Sequence, residues 1–440
     1  MTPAHPRIFR LDCKAQSYDW GKVGSSSSVA RFAATSPGFT VDENRPYAEL
    51  WMGTHPNGPS MLHQSDRTLE SVLSADPQLL SPYFHERYHG HLPFLFKVLS
   101  IGKALSIQAH PDKELAEELF KSRPDLYKDD NHKPEMTIAL TDFEALCGFK
   151  PLREISAVLD QWPELRALVG DKEAKDFQDA VTRSEHMEGI KGIKEGRQAL
   201  RTLFKTMLTS ETSKVKLELD RLVSRLSASE HPSGSTESLL LRVHSQFPGD
   251  AGLFCIFFLN YIVMQPGQAI FLAANEPHAY LSGDCVECMA ASDNVVRAGL
   301  TPKFKDVEVL TRMLTYQAKP GTDQLLTGVL CTPTGHSLMY DPPIDEFSII
   351  LTTLNHDKEK ERLRGAEGPS AVIVTKGSGV IRSEKRYESD QDVVEVVAEA
   401  GNVFFVGANT PFSIEAQSEE GVTIYTAFSV RPDKKDHYHH

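Results

Sequence analysis

The sequence predicts a mainly β protein: a duplicated jelly-roll barrel, with a block of helices between β regions. Three observations carry this. Apolar residues come in short, turn-bounded runs over about the first 150 residues, shift to a helical period from Leu152, and return to short runs from about Leu253. A twelve-residue pattern recurs within the β part. A chain of 440 residues also suffices for about three domains. The chain is therefore expected to run β, then α, then β.

In chain order, the stretch Gly21 to Ser28 (GKVGSSSS) lacks the spacing of a nucleotide-binding loop and reads as a flexible loop. FLFKVL (94–99) reads as a strand, and so does ALSIQAH (104–110), which ends where Pro111 and Asp112 start a helix. In the helical block, Leu200, Leu203, Phe204, Met207 and Leu208 lie on one helical face, as do Val215, Leu219, Leu222, Val223 and Leu226. The Ser/Pro/Gly-rich run from Ser227 to Glu237 closes it. The apolar run Gly252 to Met264 is too short for a bilayer and reads as buried core. Strand-like runs follow at 347–351, 371–375, 393–397 and 422–430.

The repeat sets GQAIFLAANEPH (267–278) against GNVFFVGANTPF (401–412), identical at five of twelve positions. A turn glycine, a half-buried strand and an A-N-x-P turn are how a cupin barrel presents a metal ligand at a strand end. The first copy ends in His278 and the second in Phe412, so one barrel is expected to hold a metal and the other not.

Three segments place polar groups where a barrel interior needs them. Ser106, Gln108 and His110 share one face of their strand, opposite Leu105, Ile107 and Ala109. In NHKPEMTIA (131–139), Lys133, Glu135 and Thr137 have one parity and His132 the other. From Ala274 to Lys303, the ionisable groups His278, Tyr280, Asp284, Glu287, Asp293, Arg297 and Lys303 crowd a span of thirty residues. Gln108, His110, Glu135 and His278 thus supply two imidazoles, a carboxylate and an amide oxygen. That set suits zinc with an open position, and it also fits an iron site of facial-triad type. A non-enzymatic or iron-dependent cupin that binds sugar is the alternative reading. Cys285 and Cys288, without a second such pair, read as strand residues.

The motifs QAHPDKELA, DDNHKPEM and ANEPHAYLSGDCVECMAASDNVVRAGLTPK, with YDWGK (18–22) near the start, closely resemble the signatures of the type I mannose-6-phosphate isomerase (phosphomannose isomerase) family over nearly the whole chain. The resemblance implies a discontinuous catalytic cupin barrel over 1–151 and 252–325, a helical domain over 152–251 and a C-terminal barrel without a metal site over 326–440, in an enzyme with one zinc ion per chain that interconverts mannose 6-phosphate and fructose 6-phosphate, supplying GDP-mannose and glycosylation. It places the zinc ligands on Gln108, His110, Glu135 and His278, and the active-site arginine on Arg297. Moving a carbonyl between C1 and C2 needs a base near neutrality and a stabilised oxyanion in a cis-enediol path. Glu287 is the first choice of base, with Lys133 and Asp293 as rivals. His132 is expected to assist ring opening, Tyr280 and Trp20 to order the sugar, and Ser106, Lys97 and Lys303 to hold the phosphate.

A formal net charge of −13 argues against nucleic acid or an anionic membrane as partner. An anionic sugar phosphate then requires a small positive pocket, for which Lys97, Lys133, Arg297 and Lys303 are available. Six sparse cysteines and no apolar leader give the cytoplasm as the expected compartment, and a monomer is the expected state.

Overall fold

The longest strand of the first barrel, His278–Ala290, is what closes it. Its second half, from Gly283, pairs with Phe94–Ile101 on one side and with Glu135–Ala139 on the other. Its first half pairs instead with Phe143–Phe149 and touches Ile107–Ala109. The change of partners falls at Gly283, which has φ 110° and where a Cβ would meet the Asp142 carbonyl oxygen at 2.5 Å. Only glycine tolerates that corner.

The computed structural model describes residues 5–187, 189–384 and 393–439. Two antiparallel systems of eleven strands each are present among them, with a block of helices between the halves of the first. In the second barrel Ser370–Ser383 plays the part of the long strand, pairing first with Val403–Val406 and Val422–Phe428, then with Glu395–Glu399 and Phe412–Ala416.

The two copies of the repeat have the same backbone. Gly267 and Gly401 have φ of 86° and 95°, and Asn275 and Asn409 both lie in the left-handed region at 62° and 57°. Each copy runs from turn glycine to short strand (Ala269–Leu272, Val403–Val406) to A-N-x-P turn to a new strand beginning at His278 or Phe412. Phe412 is buried in the apolar core of the second barrel.

The helices run from Leu152–Gln161 to Thr236–Gln246, and the apolar faces read from the sequence are the buried ones: Leu200, Leu203, Phe204 and Met207 on one helix, Val215, Leu219, Leu222 and Leu226 on another. They share a core with the barrel, where the Phe204 ring lies 5.1 Å from that of Phe149 and 5.2 Å from that of Phe258. No helix among the described residues is long and apolar enough to cross a membrane.

Two sequence expectations differ from the structure. The segment Ile8–Asp12, expected in the first barrel with the rest of 1–151, pairs with Val403–Val406 and extends the second sheet. Ile8 packs into the second barrel's core, and Phe9 stacks on Phe405 at 5.1 Å. The serine run is not a flexible loop. Ser27 accepts a hydrogen bond from the Ala30 amide and caps the helix Ser28–Ala33, while Ser28 donates to Asp284 at 2.8 Å. Asp284 also pairs with Lys22 at 2.9 Å, so this member of the ionisable cluster ties the barrel's outer elements together.

Candidate active site

The metal-ligating set assembles at one end of the first barrel. Strand Ile107–Ala109 lies between His278–Ala290 and Val296–Gly299, so Gln108 is paired with both His278 and Arg297. His110 and Glu135 follow or start their strands at the same end, and both are buried with His278. His110 Nδ1 lies 2.6 Å from the Asn294 carbonyl oxygen, and His278 Nδ1 3.1 Å from that of Glu276. A carbonyl only accepts, so each Nδ1 carries the proton and each Nε2 keeps a lone pair.

Those two Nε2 atoms are buried without a hydrogen-bond partner. His110 Nε2 stands 3.5 Å from one Glu135 oxygen and His278 Nε2 3.6 Å from the other. These gaps are long for a hydrogen bond, but ligand bonds of about 2.1 Å at a tetrahedral angle leave donors about 3.4 Å apart. The donors of His110, Glu135 and His278 therefore fit one divalent ion; Gln108 is the backbone partner of His278, and its amide oxygen accepts from Ser106 Oγ at 3.1 Å. Burial pushes the His110 imidazole down to about 4, which keeps it neutral as a ligand must be. Burial alone would raise Glu135, but the His110 imidazole and the Lys133 ammonium hold it well below the usual carboxylate range.

Beside this end opens a cavity of about 1170 Å³ lined by Trp20, Ser106, Gln108, Lys133, Asp293, Arg297 and Lys303, with residues of the helical block on its far wall. Among the described residues, Arg297 and Lys303 form no ion pair with a carboxylate, so their charge is available to an anion. Lys133 lies 3.3 Å from Glu135. Asp293 is exposed and 3.6 Å from His55, whose hydrogen bond holds its carboxyl below the usual range.

Lys97 lines this cavity, and Glu287 and Tyr280 are buried beside it. The register shift near Gly283 brings Tyr280 and Glu287, seven positions apart, onto one side, and the Tyr280 hydroxyl donates to Glu287 at 2.9 Å and lies 2.6 Å from Thr137 Oγ1. Burial, with the nearby Glu135 charge, pushes Glu287 up to about 7 against the pull of Lys97.

Three placements differ from the sequence reading. Lys97, expected on the phosphate, has its ammonium 3.4 Å from both Glu49 and Glu287 and is buried; two carboxylates already claim its charge. Tyr280, expected on the sugar, is held beside the cavity by Thr137 and Glu287. His132, expected in ring opening, lies before the strand begins, and its ring meets Glu346 of the second barrel at 2.6 Å. Cys285 and Cys288 are buried free thiols on the long strand.

Sequence reasoning missed Glu49, Trp51 and Asn294. Glu49 and Trp51 share one face of the strand Glu49–Met52, a polar-beside-apolar alternation like that of Ser106 and Gln108, and Trp51 donates to Glu49 while its ring lies 5.3 Å from the Lys97 ammonium. Asn294 had no local signal: its carbonyl orients His110, while its amide donates to the backbone of Asp129 and Asn131 at 2.8 and 2.9 Å.

A two-barrel fold with two imidazoles, a carboxylate and an amide gathered at the mouth of one barrel, beside a cationic cleft, defines a metal-dependent cupin enzyme. Residues 8–152 match the catalytic domain of type I phosphomannose isomerase, 168–259 its helical insertion domain and 337–383 its C-terminal region. The mannose-6-phosphate isomerases of Schizosaccharomyces pombe and Saccharomyces cerevisiae are each 44% identical, aligned over 96% of this chain and 99% and 98% of their own. Among solved structures, an arginine-to-alanine mutant of the phosphomannose isomerase from Salmonella typhimurium superposes with a TM-score of 0.78 at 27% identity, covering 96% of this chain and all of the other. A mannose 6-phosphate isomerase bound with zinc and yttrium gives 0.77 at 26%, covering 97% of this chain and all of that one. The chain belongs to the type I phosphomannose isomerase family.

Proposed function

We propose that this chain interconverts mannose 6-phosphate and fructose 6-phosphate, with one zinc ion held by Gln108, His110, Glu135 and His278. The observation that carries this reading is the pair of buried, partnerless Nε2 atoms facing Glu135, next to a cavity that Gln108 and Lys133 line and that also holds the unpaired cations Arg297 and Lys303. Bound there, zinc supplies a Lewis acid that polarises the sugar oxygens at C1 and C2.

The remaining work falls to side chains. Glu287 takes the proton from C2 of the open-chain aldose and returns it to C1, the two carbons being joined by a cis-enediol between the steps. A carboxylate whose proton affinity is raised towards neutrality suits that exchange, whereas Asp293, held low by His55, is a weak base. Lys97 and Tyr280 hold Glu287 in place. Arg297 carries the charge that develops on the enediol oxygens, and Lys133 steadies Glu135 and the oxygen nearest it. Lys303 and Ser106 take the phosphate, with Trp20 at the cleft wall.

The chain is further proposed to act as a monomer in the cytoplasm, upstream of GDP-mannose and glycosylation; its six free thiols suit a reducing compartment. A coupled assay tests the reading. Mannose 6-phosphate should turn over and unphosphorylated mannose should not, and K303A should raise KM about tenfold or more with kcat less affected. No turnover by a zinc-replete sample would overturn it.

A further inference from the structure

The second barrel reaches across to the chain segment that carries Lys133 and Glu135, and we propose that Glu346 is a positioning residue for the isomerase reaction, acting through His132. The proposal rests on the isomerase reading above and gives the metal-free barrel a part in it.

Between the helix Lys113–Ser122 and the strand Glu135–Ala139 the chain is irregular, and residues 131–134 belong to neither a helix nor a sheet ladder. Apart from one backbone bond, from the Ala290 amide to the Pro134 carbonyl at 3.2 Å, side-chain contacts set how this stretch is turned about its own axis. On one flank the Asn131 carbonyl accepts from Ser292 Oγ at 3.1 Å and from the Asn294 amide at 2.9 Å. Glu135 is held by its own strand pairing with Leu272 and Met289, whereas Lys133 directly follows His132 outside the ladder, so whatever holds the His132 ring restrains the backbone that aims Lys133. What holds it is Glu346, with His132 Nε2 2.6 Å from Oε1.

Glu346 is built to serve as a fixed point. It sits in the connection between strands Ser337–Tyr340 and Ser348–Leu354, and its carbonyl accepts from Ser429 Oγ at 2.7 Å. The same connection is anchored by Lys435, which donates to Asp341 at 2.8 Å and to the Pro342 carbonyl at 3.2 Å. Glu346 is only 9% exposed, so its attraction for the imidazole is little screened. The pair meets at the edge of a cavity of about 1070 Å³ between the barrels, lined by both side chains. With open space beside it, His132 has no packed wall to keep its orientation once Glu346 is shortened. Lys133, 3.3 Å from Glu135, then loses its aim towards the bound sugar.

Steady-state kinetics with metal analysis on the full-length zinc enzyme tests this. E346A should lower kcat about tenfold with KM within about threefold of the unmutated enzyme and zinc still at one per chain, and E346Q, which keeps the accepting oxygen, should restore kcat to within about threefold. Because both residues act as one device, the double variant H132A/E346A should turn over no more slowly than H132A alone. Where E346A does not accumulate as folded protein, E346D, which keeps the charge but shortens the reach, should lower kcat about fivefold. An unchanged kcat in E346A or E346D, multiplicative losses in the double variant, or a loss that disappears when activity is expressed per bound zinc would overturn the proposal. Absence of turnover in the unmutated enzyme would instead refute the isomerase reading.

Discussion

Lys97 and Glu287 are cross-strand partners, opposite one another in the register of Phe94–Ile101 against His278–Ala290, with the ammonium 3.4 Å from the carboxylate. The same ammonium is 3.4 Å from Glu49. One buried cation thus serves two carboxylates, and only part of its attraction falls on Glu287. E287Q, which keeps the shape and removes the basic oxygen, should therefore lower kcat by about 10²- to 10⁴-fold while zinc content stays at one per chain. Steady-state turnover beside metal analysis checks it, and near-normal turnover would move the base elsewhere.

Lys97 also sets where Glu287 titrates. Burial raises the carboxyl and Lys97 lowers it, so removing the ammonium in K97M takes away the larger lowering influence and leaves only that of Lys133 against the raising ones. The base must be deprotonated to work, so activity is lost as pH falls through its titration. In K97M the acid limb of kcat/KM should therefore move to higher pH, with the greatest loss on the acidic side. An acid limb that stays in place in the pH profile would contradict the assignment.

Asn294 is the support that the ligand His110 relies on. Its own carbonyl stays in N294A, but the amide that holds Asp129 and Asn131 is lost. Zinc affinity should fall by about 10- to 100-fold, as it does when the partner of a metal-bound histidine is removed. Competition with a chromophoric chelator reads this directly, and unchanged affinity would argue against the support.

The Phe412 position tests the repeat. F412H recreates the residue of the first copy, but its strand neighbours are Leu363 and Ser383, where His278 has Cys147 and the candidate ligand Gln108. Zinc should stay at one per chain, and stability should fall by about 2–4 kcal/mol because a buried ring is replaced by a smaller polar one. A second bound zinc would show that the second barrel retains a latent site.

In the helical block, buried Glu164 accepts two hydrogen bonds from Arg225, at 2.7 and 2.8 Å. Burial acts to raise the Glu164 carboxyl, but the Arg225 hydrogen bonds hold it below its ordinary value of 4.5. A lowered carboxyl contributes stability above its unfolded-state value, and that contribution is lost as pH falls through the folded value. R225A should destabilise the protein by about 1–2 kcal/mol near neutrality, and the difference from the unmutated chain in denaturant melts should shrink below about pH 4.5. An equal difference at all pH values would exclude the pairing as its source.

What was legible in the sequence was whatever strand parity and short spacing encode. Ser106, Gln108 and His110 share a face within five residues, and the A-N-x-P turn announces His278, so two members of the His110, Glu135 and His278 cluster could be read without the fold. The apolar stripes of the helices were legible for the same reason. Contacts between distant segments were not. Nothing near Lys97 says that Glu49 will claim its charge, and nothing near His132 says that a carboxylate 214 positions away will hold it. Ile8–Asp12 reads as a strand by its own pattern, but its partner, Val403–Val406, lies at the far end of the chain. Tyr280 and Glu287 share a side only because the register shifts near Gly283, which simple alternation cannot reveal.

Titration of zinc into metal-stripped protein, with turnover of mannose 6-phosphate followed at each addition, bears most directly on the four-ligand site. Turnover should be absent without metal, rise in proportion to bound zinc and level off at one ion per chain, with E135Q failing to recover. Full turnover by metal-free protein, or saturation with zinc without turnover, would contradict it.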